Sequence, residues 1–576
     1  MRNREVAAIL DEVADLMELL GEDRYRVARY RDAAMKIEHF PEPIENLERE
    51  GRVQAIRGVG KSIGGKVEEY LRSGSLRQLE ELRARVPPAA LTLMRIPGVG
   101  PKRALLLTER LGVRSVDDLA QAIERGDVAR LPRMGPKVAE QLLEEIHRLR
   151  TRSKRIPLGV AAALADDVVR LLSECKAAQR IEAAGSLRRM QETIGDIDIL
   201  VASAEPSQVI DAFVRMAIVR DVLAAGDTRA SVLTQNDLQV DVRVVPGESW
   251  GAALQYFTGS KEHNVRLREL AVRRGWRLSE YGLFDGEQRI AGSTEAEVYE
   301  ALGLAWVPPE LRENQGEIEA ALAHQLPDLI GYGDLRGDLH AHTRLSDGSS
   351  TIEQMAEAAA ARGYEYLAIT DHSQALGVAR GMTEDELRAE HAAIRRAQAM
   401  VPTTRLLCGV EVDIRVDSRL DCSDDFLAEC DVVVASIHSA FQRSAADQTA
   451  RLIAAIEHPC VDIVGHPTGR MLGKRRGYDI DLAAVLDAAA RTGTALEVNA
   501  QPNRLDLPAD AIRAAVERGV MLAINTDAHE AQQLGQTRLG IGTARRGWVP
   551  SDLVLNALPL EGLLAWLRER RSRAAA

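Results

Sequence analysis

The chain has 576 residues, 45% of them hydrophobic, which is enough for several domains with sizeable cores. No apolar run reaches the ~18–20 residues that cross a bilayer, and the N-terminal residues lack the apolar segment of a signal peptide, so we expect no membrane association. Five scattered cysteines without a Cys-x-x-Cys pair predict a reducing, cytoplasmic location. The net charge of −12 is distributed unevenly along the chain, because residues 1–155 carry 30 Lys and Arg against 25 Asp and Glu.

Three similar glycine-containing segments lie between helical patterns in the first 155 residues, at 56–61, 96–102 and 131–137. The first two read hydrophobic-x-Gly-hydrophobic-Gly, whereas Arg133 replaces the first glycine of the third. Glycines let the backbone approach a phosphate closely, and amides at the next helix N-terminus can donate to it without reading the base. We therefore predict helix-hairpin-helix turns that bind a DNA backbone, rather than plain helix connections. The predicted contact residues are Gly58, Gly60, Lys61, Gly98, Gly100 and Lys102.

A Gly-Ser turn with two arginines, residues 185–189, precedes an alternating strand in which Asp196 and Asp198 share one face. Adjacent carboxylates repel each other unless a cation lies between them, so the pair indicates Mg²⁺ or Mn²⁺. A second alternating strand, residues 238–244, carries Asp241. If the strands are neighbours, two metal ions ~3.5–4 Å apart would activate a hydroxyl and stabilise the leaving oxygen. The alternative is a set of solvated aspartates at strand ends.

This combination resembles the palm of the family X DNA polymerases, of which polymerase beta is the best-known member. The segment 256–260, Tyr-Phe-Thr-Gly-Ser, strengthens the likeness because it resembles the family's thumb motif against the sugar of the incoming nucleotide. The resemblance implies that Asp196 and Asp198 bind two ions, Mg²⁺ or Mn²⁺. It implies that Asp241 binds the catalytic ion and helps to deprotonate the primer 3′-hydroxyl.

The same resemblance implies a nucleotide-binding set. Its members are Arg155, Ser186, Arg189 and Gly195 on the triphosphate, Tyr256, Phe257 and Gly259 on the sugar, and Asn264 and Arg268 towards the base and the template. Ile194 and Gln239 depart from polymerase beta, which has a serine and an arginine at these positions. Neither departure removes a metal ligand.

Residues 1–85 resemble the small lyase domain of polymerase beta, whose Schiff-base lysine falls on Lys66. Such a lysine attacks the aldehyde of an abasic sugar. Ser62 stands where that site has another lysine. Two readings of Lys66 therefore stay open, a deoxyribose-phosphate lyase nucleophile and a helix lysine that contacts a DNA phosphate.

From about residue 336, apolar runs alternate with helical patterns at 351–362, 480–492 and 509–518. We predict strands at 335–339, 366–370, 406–410, 432–437, 461–465 and 521–526. The side chains at or just beyond their ends include His340, His342, His372, Glu411, His438, His466, Asp527 and His529. Ligands at the C-terminal ends of successive strands are where (β/α) barrels place their active sites. His, Asp and Glu without cysteine suit Zn²⁺, Mn²⁺ or Fe²⁺ in phosphate-ester chemistry.

This half resembles the PHP family of phosphoesterases, whose pattern contains His-x-His, Asp-His, Glu, isolated His and Asp-x-His. The resemblance implies up to three ions of Mn²⁺, Zn²⁺ or Fe²⁺. The implied ligand sets are His340, His342, Glu411 and Asp527; Glu411, His438 and His466; and Asp347, His372 and His529. The alternative is a degenerate barrel kept for structure, and it predicts missing ligands.

Taken together, the sequence predicts a multidomain α+β and α/β protein with helix-hairpin-helix N-terminal domains, a nucleotidyltransferase-type palm with a thumb, and a C-terminal distorted (β/α) barrel of the PHP type. The predicted segments are 1–83 (lyase-like), 84–155 (second helix-hairpin-helix domain), 156–250 (palm), 251–318 (thumb), 319–335 (linker) and 336–576 (barrel).

The combination resembles the bacterial branch of family X. It implies a monomer that adds deoxynucleotides from their triphosphates to gapped or primer–template DNA and fills short gaps in base excision repair. The barrel is expected to act as a 3′–5′ exonuclease that removes 3′ nucleotides or blocked 3′ ends, and to incise at abasic sites. Three alternatives are a nucleotidyltransferase for RNA or a small molecule, a DNA-binding repair scaffold with inert sites, and a barrel that hydrolyses a small phosphate ester.

Overall fold

The structure is a computed structural model, and it describes residues 3–38, 44–49, 51–56, 59–94, 96, 99–132, 134–152 and 155–575. The chain folds into two compact units, Met1–Lys154 and Arg155–Ala576. Among the helices of these described ranges, none combines the length and the apolar run that a bilayer crossing requires.

The first unit is helical around an apolar core. Val6, Leu10, Val13 and Met17 lie on one face of the first helix at helical spacing, and all four are buried in that core. The helices are α1 (Asn3–Leu19), α2 (Arg24–Glu38), α3 (Ile44–Arg49), α4 (Lys61–Ser73), α5 (Arg77–Arg83), α6 (Pro88–Met94), α7 (Pro101–Leu111), α8 (Val116–Glu124) and α9 (Pro136–Arg152). The predicted helical N-terminal architecture is confirmed.

The palm is a five-stranded sheet covered by helices. Its elements are β1 (Ile156–Pro157), α10 (Leu158–Leu172), β2 (Arg180–Ala183), α11 (Gly185–Arg188), β3 (Thr193–Ile194), β4 (Asp196–Ala202), α12 (Pro206–Val214), β5 (Val219–Ala225), β6 (Arg229–Thr234) and β7 (Gln239–Val245). The strand order is β2-β4-β7-β6-β5, and β4 and β7 are parallel. Ile197, Ile199 and Val201 alternate along β4 and are buried in the palm core. The period of two therefore leaves Asp196 and Asp198 together on the other face.

The thumb packs four helices around a small antiparallel sheet in the order β10-β9-β8. Its elements are α13 (Trp250–Thr258), α14 (Lys261–Arg273), β8 (Trp276–Ser279), β9 (Gly282–Asp285), β10 (Gln288–Ala291), α15 (Glu295–Ala301) and α16 (Glu317–Leu322). Buried Val298 and Tyr299 of α15 lie in its apolar core. Thr294 and Glu297 form a capping box at the start of α15, which satisfies amides that would otherwise lack partners.

The barrel contains seven parallel strands in sequential order, joined by helices. Its elements are β11 (Gly337–Asp338), α17 (Ile352–Ala361), β12 (Tyr366–Ile369), α18 (Glu384–Ala397), β13 (Arg405–Asp413), α19 (Asp424–Glu429), β14 (Val432–Ser436), α20 (Ala445–Ile456), β15 (Ile463–Val464), α21 (Leu482–Thr492), β16 (Ala495–Asn499), α22 (Ala509–Glu517), β17 (Leu522–Asn525), α23 (Thr537–Arg546) and α24 (Leu560–Ala575). A parallel bridge between Ala341 and Ala528 brings the last strand beside the first, so the barrel nearly closes. The distorted barrel is confirmed, and β16 is a strand that the sequence did not predict.

The barrel and the palm share apolar contacts. Leu505 and Leu539 of the barrel are buried in the same core as Leu158 and Ala161 of α10. Gly159 allows the approach, because a Cβ there would lie 2.5 Å from Pro502 Cβ.

Candidate functional site

The palm brings its three predicted aspartates together. Asp198 of β4 is the register partner of Asp241 of β7, and Asp196 is opposite Gln239. Because the two strands are parallel and adjacent, the carboxylates project from one face within a single pair of strands. Gln239 Nε2 donates to both oxygens of Asp241, at 3.1 and 3.0 Å, so this departure from the polymerase beta pattern contacts the third carboxylate.

The electrostatics of this site fit a divalent cation. Burial, followed by the charges of Asp196 and Asp241, raises the pKa of Asp198 to about 7, although Arg189 and Arg243 oppose the shift. A carboxylate held this way is destabilised in its charged form. A group of oxygen ligands without nitrogen or sulfur suits Mg²⁺ or Mn²⁺. The residues present therefore fit the predicted ions.

Gly185 permits the turn to approach the aspartates. It has a φ of +60°, and a Cβ at this position would lie 2.1 Å from Asp198 Oδ2. The preceding Ala184 amide donates to the Asp198 carbonyl oxygen at 2.8 Å, which ties the turn to β4. Half-buried Ser186 follows in α11, so the predicted phosphate turn lies directly beside the carboxylates.

The predicted triphosphate residues lie in two places. Arg189 Nε donates to Glu313 Oε1 at 2.9 Å and its Nη1 donates to the Thr258 carbonyl oxygen at 2.5 Å. Arg155 donates to the Thr193 hydroxyl at 2.9 Å, and its Nη1 would lie 3.4 Å from a Cβ at Gly195. Arg189 therefore lies against the thumb, while Arg155 lies beside Gly195.

The predicted sugar and base residues form a connected group. The Tyr256 and Phe257 rings meet edge to face with centroids 5.1 Å apart. Asn264 Nδ2 donates to the Tyr256 carbonyl oxygen at 2.7 Å, and Arg268 Nε donates to the Asn264 carbonyl oxygen at 3.3 Å. Gly259 has a φ of +61°, in the left-handed region that favours glycine.

The sequence indicates Arg188 only as one of the two arginines of the Gly-Ser turn, and its contact with the thumb was not predicted. It makes two parallel hydrogen bonds of 2.9 Å to Glu295 and a third of 2.8 Å to Thr258 Oγ1. Arg312 also donates to Glu295 at 2.6 Å. Burial would raise the pKa of Glu295, but the two guanidinium groups lower it to about 2, so the carboxylate stays charged and links the palm to the thumb. Its only sequence signal is the Arg-Arg pair at the turn.

The N-terminal turns are described in part. Gly60 and Gly100 have extended backbone and cap the N-termini of α4 and α7. Lys61 and Lys102 follow them and are exposed, which leaves their ammonium groups accessible to a phosphate. Gly58 and Gly98, which the sequence also predicts as contacts, lie outside the described residues.

Lys66 is half-buried in α4 and packs against an aromatic ring. Its Nζ donates to the Tyr30 hydroxyl and lies 4.8 Å from the centre of that ring. The Tyr30 hydroxyl in turn donates to Gln78 Oε1 at 2.8 Å. The ammonium group is therefore held in one place.

The barrel gathers the nine predicted metal-ligand side chains. They lie at or just beyond the C-terminal ends of its parallel strands: His340, His342 and Asp347 after β11, His372 after β12, Glu411 in β13, His438 after β14, His466 after β15, and Asp527 and His529 after β17. Most are buried, and Asp347 and His529 are about one third exposed at 28% and 31%. Substrate would therefore reach the cluster from the side of Asp347 and His529.

Three groups of donor atoms are close enough to hold an ion. In each group the atoms lie within 4.8 Å of one another, and the groups are His342, Asp347, His372 and His529; His340, His342 and Asp527; and His372, Glu411 and His438. Glu411 is central, because its oxygens also lie 3.4 Å from His340 Nε2 and 3.1 Å from His466 Nε2. The predicted ligand sets therefore overlap in space. His342 belongs to the first and second of these groups, and His372 belongs to the first and third.

Buried polar atoms in the cluster fit metal ions. Both ring nitrogens of His342, Nε2 of His340 and both oxygens of Glu411 are buried without a hydrogen-bond partner within the described ranges. Buried polar atoms normally have partners. Burial would raise the pKa of Glu411, but the neighbouring histidines hold it well below its ordinary value. Nitrogen and oxygen donors without sulfur suit Mn²⁺, Zn²⁺ or Fe²⁺.

Two carboxylates that contact predicted ligand histidines were not identified from the sequence. Glu497 Oε1 in β16 lies 2.7 Å from His340 Nδ1, and Asp413 Oδ1 lies 3.2 Å from His438 Nδ1. Carboxylates in this position fix the orientation of a ligand histidine and raise its basicity. Glu497 was missed because no histidine follows β16, although its place in an alternating apolar run was a usable signal.

Family models match most of the chain. A helix-hairpin-helix domain matches residues 1–76, a SAM-like helix-hairpin-helix tandem matches residues 90–148, the DNA polymerase beta thumb matches residues 253–313, and the PHP domain matches residues 338–501.

Relatives match either the whole chain or one part of it. The chain is 38% identical over 573 residues to the DNA polymerase/3′-5′ exonuclease PolX of Bacillus subtilis, which covers 99% of this chain and 100% of that protein. It is 26% identical to DNA polymerase lambda of Arabidopsis thaliana, over 54% of this chain and 62% of that protein. A probable phosphatase of Shewanella sediminis is 31% identical over 40% of this chain and 94% of its own length. This chain belongs to the family X DNA polymerases that carry a C-terminal PHP domain.

Proposed function

We propose that this chain is a DNA-directed DNA polymerase that fills short gaps in base excision repair, joined to a PHP-type 3′–5′ exonuclease. The observation that carries the proposal is the register pairing of Asp198 with Asp241, with Asp196 on the same face and the Gly185 turn against them. Gapped or primer–template DNA and deoxynucleoside triphosphates are the substrates. The protein acts as a monomer in the cytoplasm.

In the palm, each side chain has a separate task. Asp196, Asp198 and Asp241 would hold two ions, Mg²⁺ or Mn²⁺, which would supply positive charge beside the primer hydroxyl and the leaving pyrophosphate. Ser186, Arg189, Arg155 and Gly195 bind the triphosphate. Tyr256, Phe257 and Gly259 pack against the sugar, and Asn264 and Arg268 face the base and the template. The hydrogen bonds from Asn264 to the Tyr256 carbonyl oxygen and from Arg268 to the Asn264 carbonyl oxygen hold these two side chains in place before substrate arrives.

In the barrel, the nine ligand-type side chains would hold up to three ions of Mn²⁺, Zn²⁺ or Fe²⁺, which would supply positive charge to a water molecule and to the scissile phosphate. Glu497 and Asp413 orient His340 and His438. The barrel removes nucleotides or blocked groups from 3′ ends and incises at abasic sites. The complete ligand set does not favour the alternative of an inert barrel.

The N-terminal segments hold the DNA. We assign residues 1–83 to the lyase-like domain and 84–155 to the second helix-hairpin-helix domain, with Lys61 and Lys102 on backbone phosphates. Lys66 is the proposed lyase nucleophile. Borohydride trapping on an incised abasic duplex should give a covalent complex that Lys66→Ala abolishes and that Lys61→Ala retains. Equal trapping by the Lys66→Ala variant would reject the lyase assignment.

The two active sites can be separated by a paired test. Asp241→Ala should abolish primer extension on gapped DNA and keep 3′ degradation, whereas His342→Ala should do the reverse. Asp227→Ala, at an exposed position between β5 and β6, is the matched control and should retain both activities. Joint loss of both activities in a folded single variant would contradict two independent sites. Extension of RNA in preference to DNA, or histidinol phosphate hydrolysed in preference to a 3′-recessed duplex, would favour the alternative substrates.

A further inference from the structure

The carboxylate of Glu313 lies between the palm and the barrel and accepts hydrogen bonds from three side chains. Glu313 Oε1 accepts hydrogen bonds from Arg189 Nε at 2.9 Å, from Gln191 Nε2 at 2.5 Å and from Arg546 Nη1 at 3.2 Å. Arg189 is the proposed triphosphate residue of the palm, whereas Arg546 is the last residue of α23 in the barrel. The charged side chains are only 12–17% exposed, so water screens them poorly.

Hydrogen bonds and helix packing together fix the position of Arg546 against the palm. Its Nη1 also donates to the Arg189 carbonyl oxygen at 2.9 Å. Helix α23 lies directly against the palm turn, because a Cβ at Gly542 would be 2.6 Å from Met190 Cγ. The adjacent Arg545 donates to Glu310 at 2.8 Å and anchors the same end of the helix to the thumb.

A nucleotide triphosphate would compete with the present partners of Arg189. In this structure its guanidinium group is held by Glu313 and by the Thr258 carbonyl oxygen. Turning towards a triphosphate would remove a cation from a partly buried carboxylate, which is costly unless another cation stays beside it. Arg546 and Gln191, which also donate to Glu313, would stay beside that carboxylate.

We propose that Arg546 is a positioning residue for nucleotide binding, through which the barrel holds Glu313 and frees Arg189 for the triphosphate. The proposal rests on the proposed function, in which Arg189 contacts the nucleotide. It assigns the barrel a part in DNA synthesis that is independent of its own metal ions.

The test is steady-state gap filling by the full-length protein. Arg546→Ala should raise the nucleotide KM about tenfold, the size expected for one hydrogen bond to a charged group. The kcat should change less than about twofold, because a triphosphate contact is made in both the ground state and the transition state. Arg538→Ala is the matched control on the same helix. Arg538 is 61% exposed, and its ion pair with Asp166 is long, at 3.8 Å.

A double mutant separates this role from a structural one. Glu313→Gln removes the charge that competes for Arg189, so Arg546→Ala combined with Glu313→Gln should return KM to within about threefold of the wild type. A structural defect would instead give additive losses. Arg546→Gln keeps a donor and most of the stem and serves if melting shows that the alanine variant is unfolded. The same KM rise and rescue are expected of it.

The outcomes are distinguishable. A wild-type protein that cannot extend a primer would defeat the proposed function itself. A wild-type protein that extends, with Arg189→Ala raising KM but no rise in the folded Arg546 variant, would overturn this inference alone. Failure of Glu313→Gln to suppress the KM rise would overturn it as well.

Discussion

Asp198 combines a proposed role in catalysis with a cost in stability. It is half-buried beside two other carboxylates, and this burial and repulsion raise its pKa to about 7. A neutral side chain or a bound cation would relieve the repulsion. The folded protein without metal is therefore strained electrostatically at the place where the proposed function needs charge.

We expect Asp198→Asn to stabilise the metal-free protein. In EDTA at pH 8 the substitution should raise the free energy of unfolding by about 4 kcal/mol, since it removes a charge whose pKa is raised from 3.8 to about 7 and each pKa unit corresponds to about 1.4 kcal/mol. The folded state alone takes up this proton near pH 7, so wild-type stability should rise as the pH falls from 8 to 6. Urea unfolding measures both effects.

The control for this substitution is Asp227→Asn, at an exposed position in the β5–β6 hairpin, which should change stability little. Added Mg²⁺ should stabilise the wild type more than the Asp198→Asn variant. Destabilisation by Asp198→Asn in EDTA would show that the three carboxylates do not repel one another.

Gly185 tests the geometry of the turn. A Cβ at this position would lie 2.1 Å from Asp198 Oδ2, and the φ of +60° is unfavourable for alanine. Gly185→Ala should therefore lower kcat/KM for primer extension about a hundredfold, since displacing a catalytic group by ~1 Å has an effect of this size. Exonuclease activity should be unchanged. Gly226→Ala, whose Cβ would meet only Arg229 O at 3.8 Å, is the matched control, and equal losses in both variants would contradict the prediction.

Parallel strands bring the candidate site residues together in both the palm and the barrel. In the palm, β4 and β7 put Asp198 and Asp241 opposite each other, and in the barrel successive parallel strands deliver their ligands to one end. The N-terminal helices α4 and α7 are arranged differently. In each, a glycine caps the N-terminus and a lysine lies in the first turn. Such caps present amides and a positive dipole to a phosphate.

Lys61→Ala and Lys102→Ala should each weaken DNA binding to a similar degree for every sequence. Each should also reduce the slope of log K against log salt by about 1, because each removes one phosphate contact. Fluorescence anisotropy with two unrelated gapped duplexes at several salt concentrations measures this. Arg77→Ala removes a charge that is 85% exposed on α5 and serves as the control. An effect that depended on base sequence would contradict a backbone contact.

At the scale of the molecule, the palm and the barrel share a core. Leu505 and Leu539 of the barrel pack with Leu158 of α10, and Arg470 of the barrel donates to Glu192 of the palm at 2.7 Å. Elements that share a core are expected to unfold together. A fold organised this way also lets Arg546 reach Glu313.

Calorimetry should show one transition for residues 155–576. Mn²⁺ at concentrations that occupy the barrel should raise the temperature of that transition for the palm and the barrel together, because binding to one part stabilises every part that unfolds with it. The number of calorimetric peaks measures this, since separate unfolding of the two parts would give two peaks. His342→Ala is the control and should reduce the shift. Separate melting of the palm, unmoved by Mn²⁺, would contradict the shared core.

Local signals in the sequence predict the architecture and most of the candidate site. Alternation in β4 fixes the common face of Asp196 and Asp198, and polar residues directly after apolar runs mark His372 and His466. Strand β16 was not predicted, since Glu497 stands inside an apolar run with no histidine after it.

Contacts between segments far apart in the chain became visible only in the folded structure. The parallel pairing of β4 with β7, the Arg188–Glu295 link and the meeting of Arg546 with Glu313 join residues separated by 40 to more than 200 positions. Each depends on how whole elements pack and on which charges burial leaves poorly solvated. Side-chain periodicity along one segment carries no information about either.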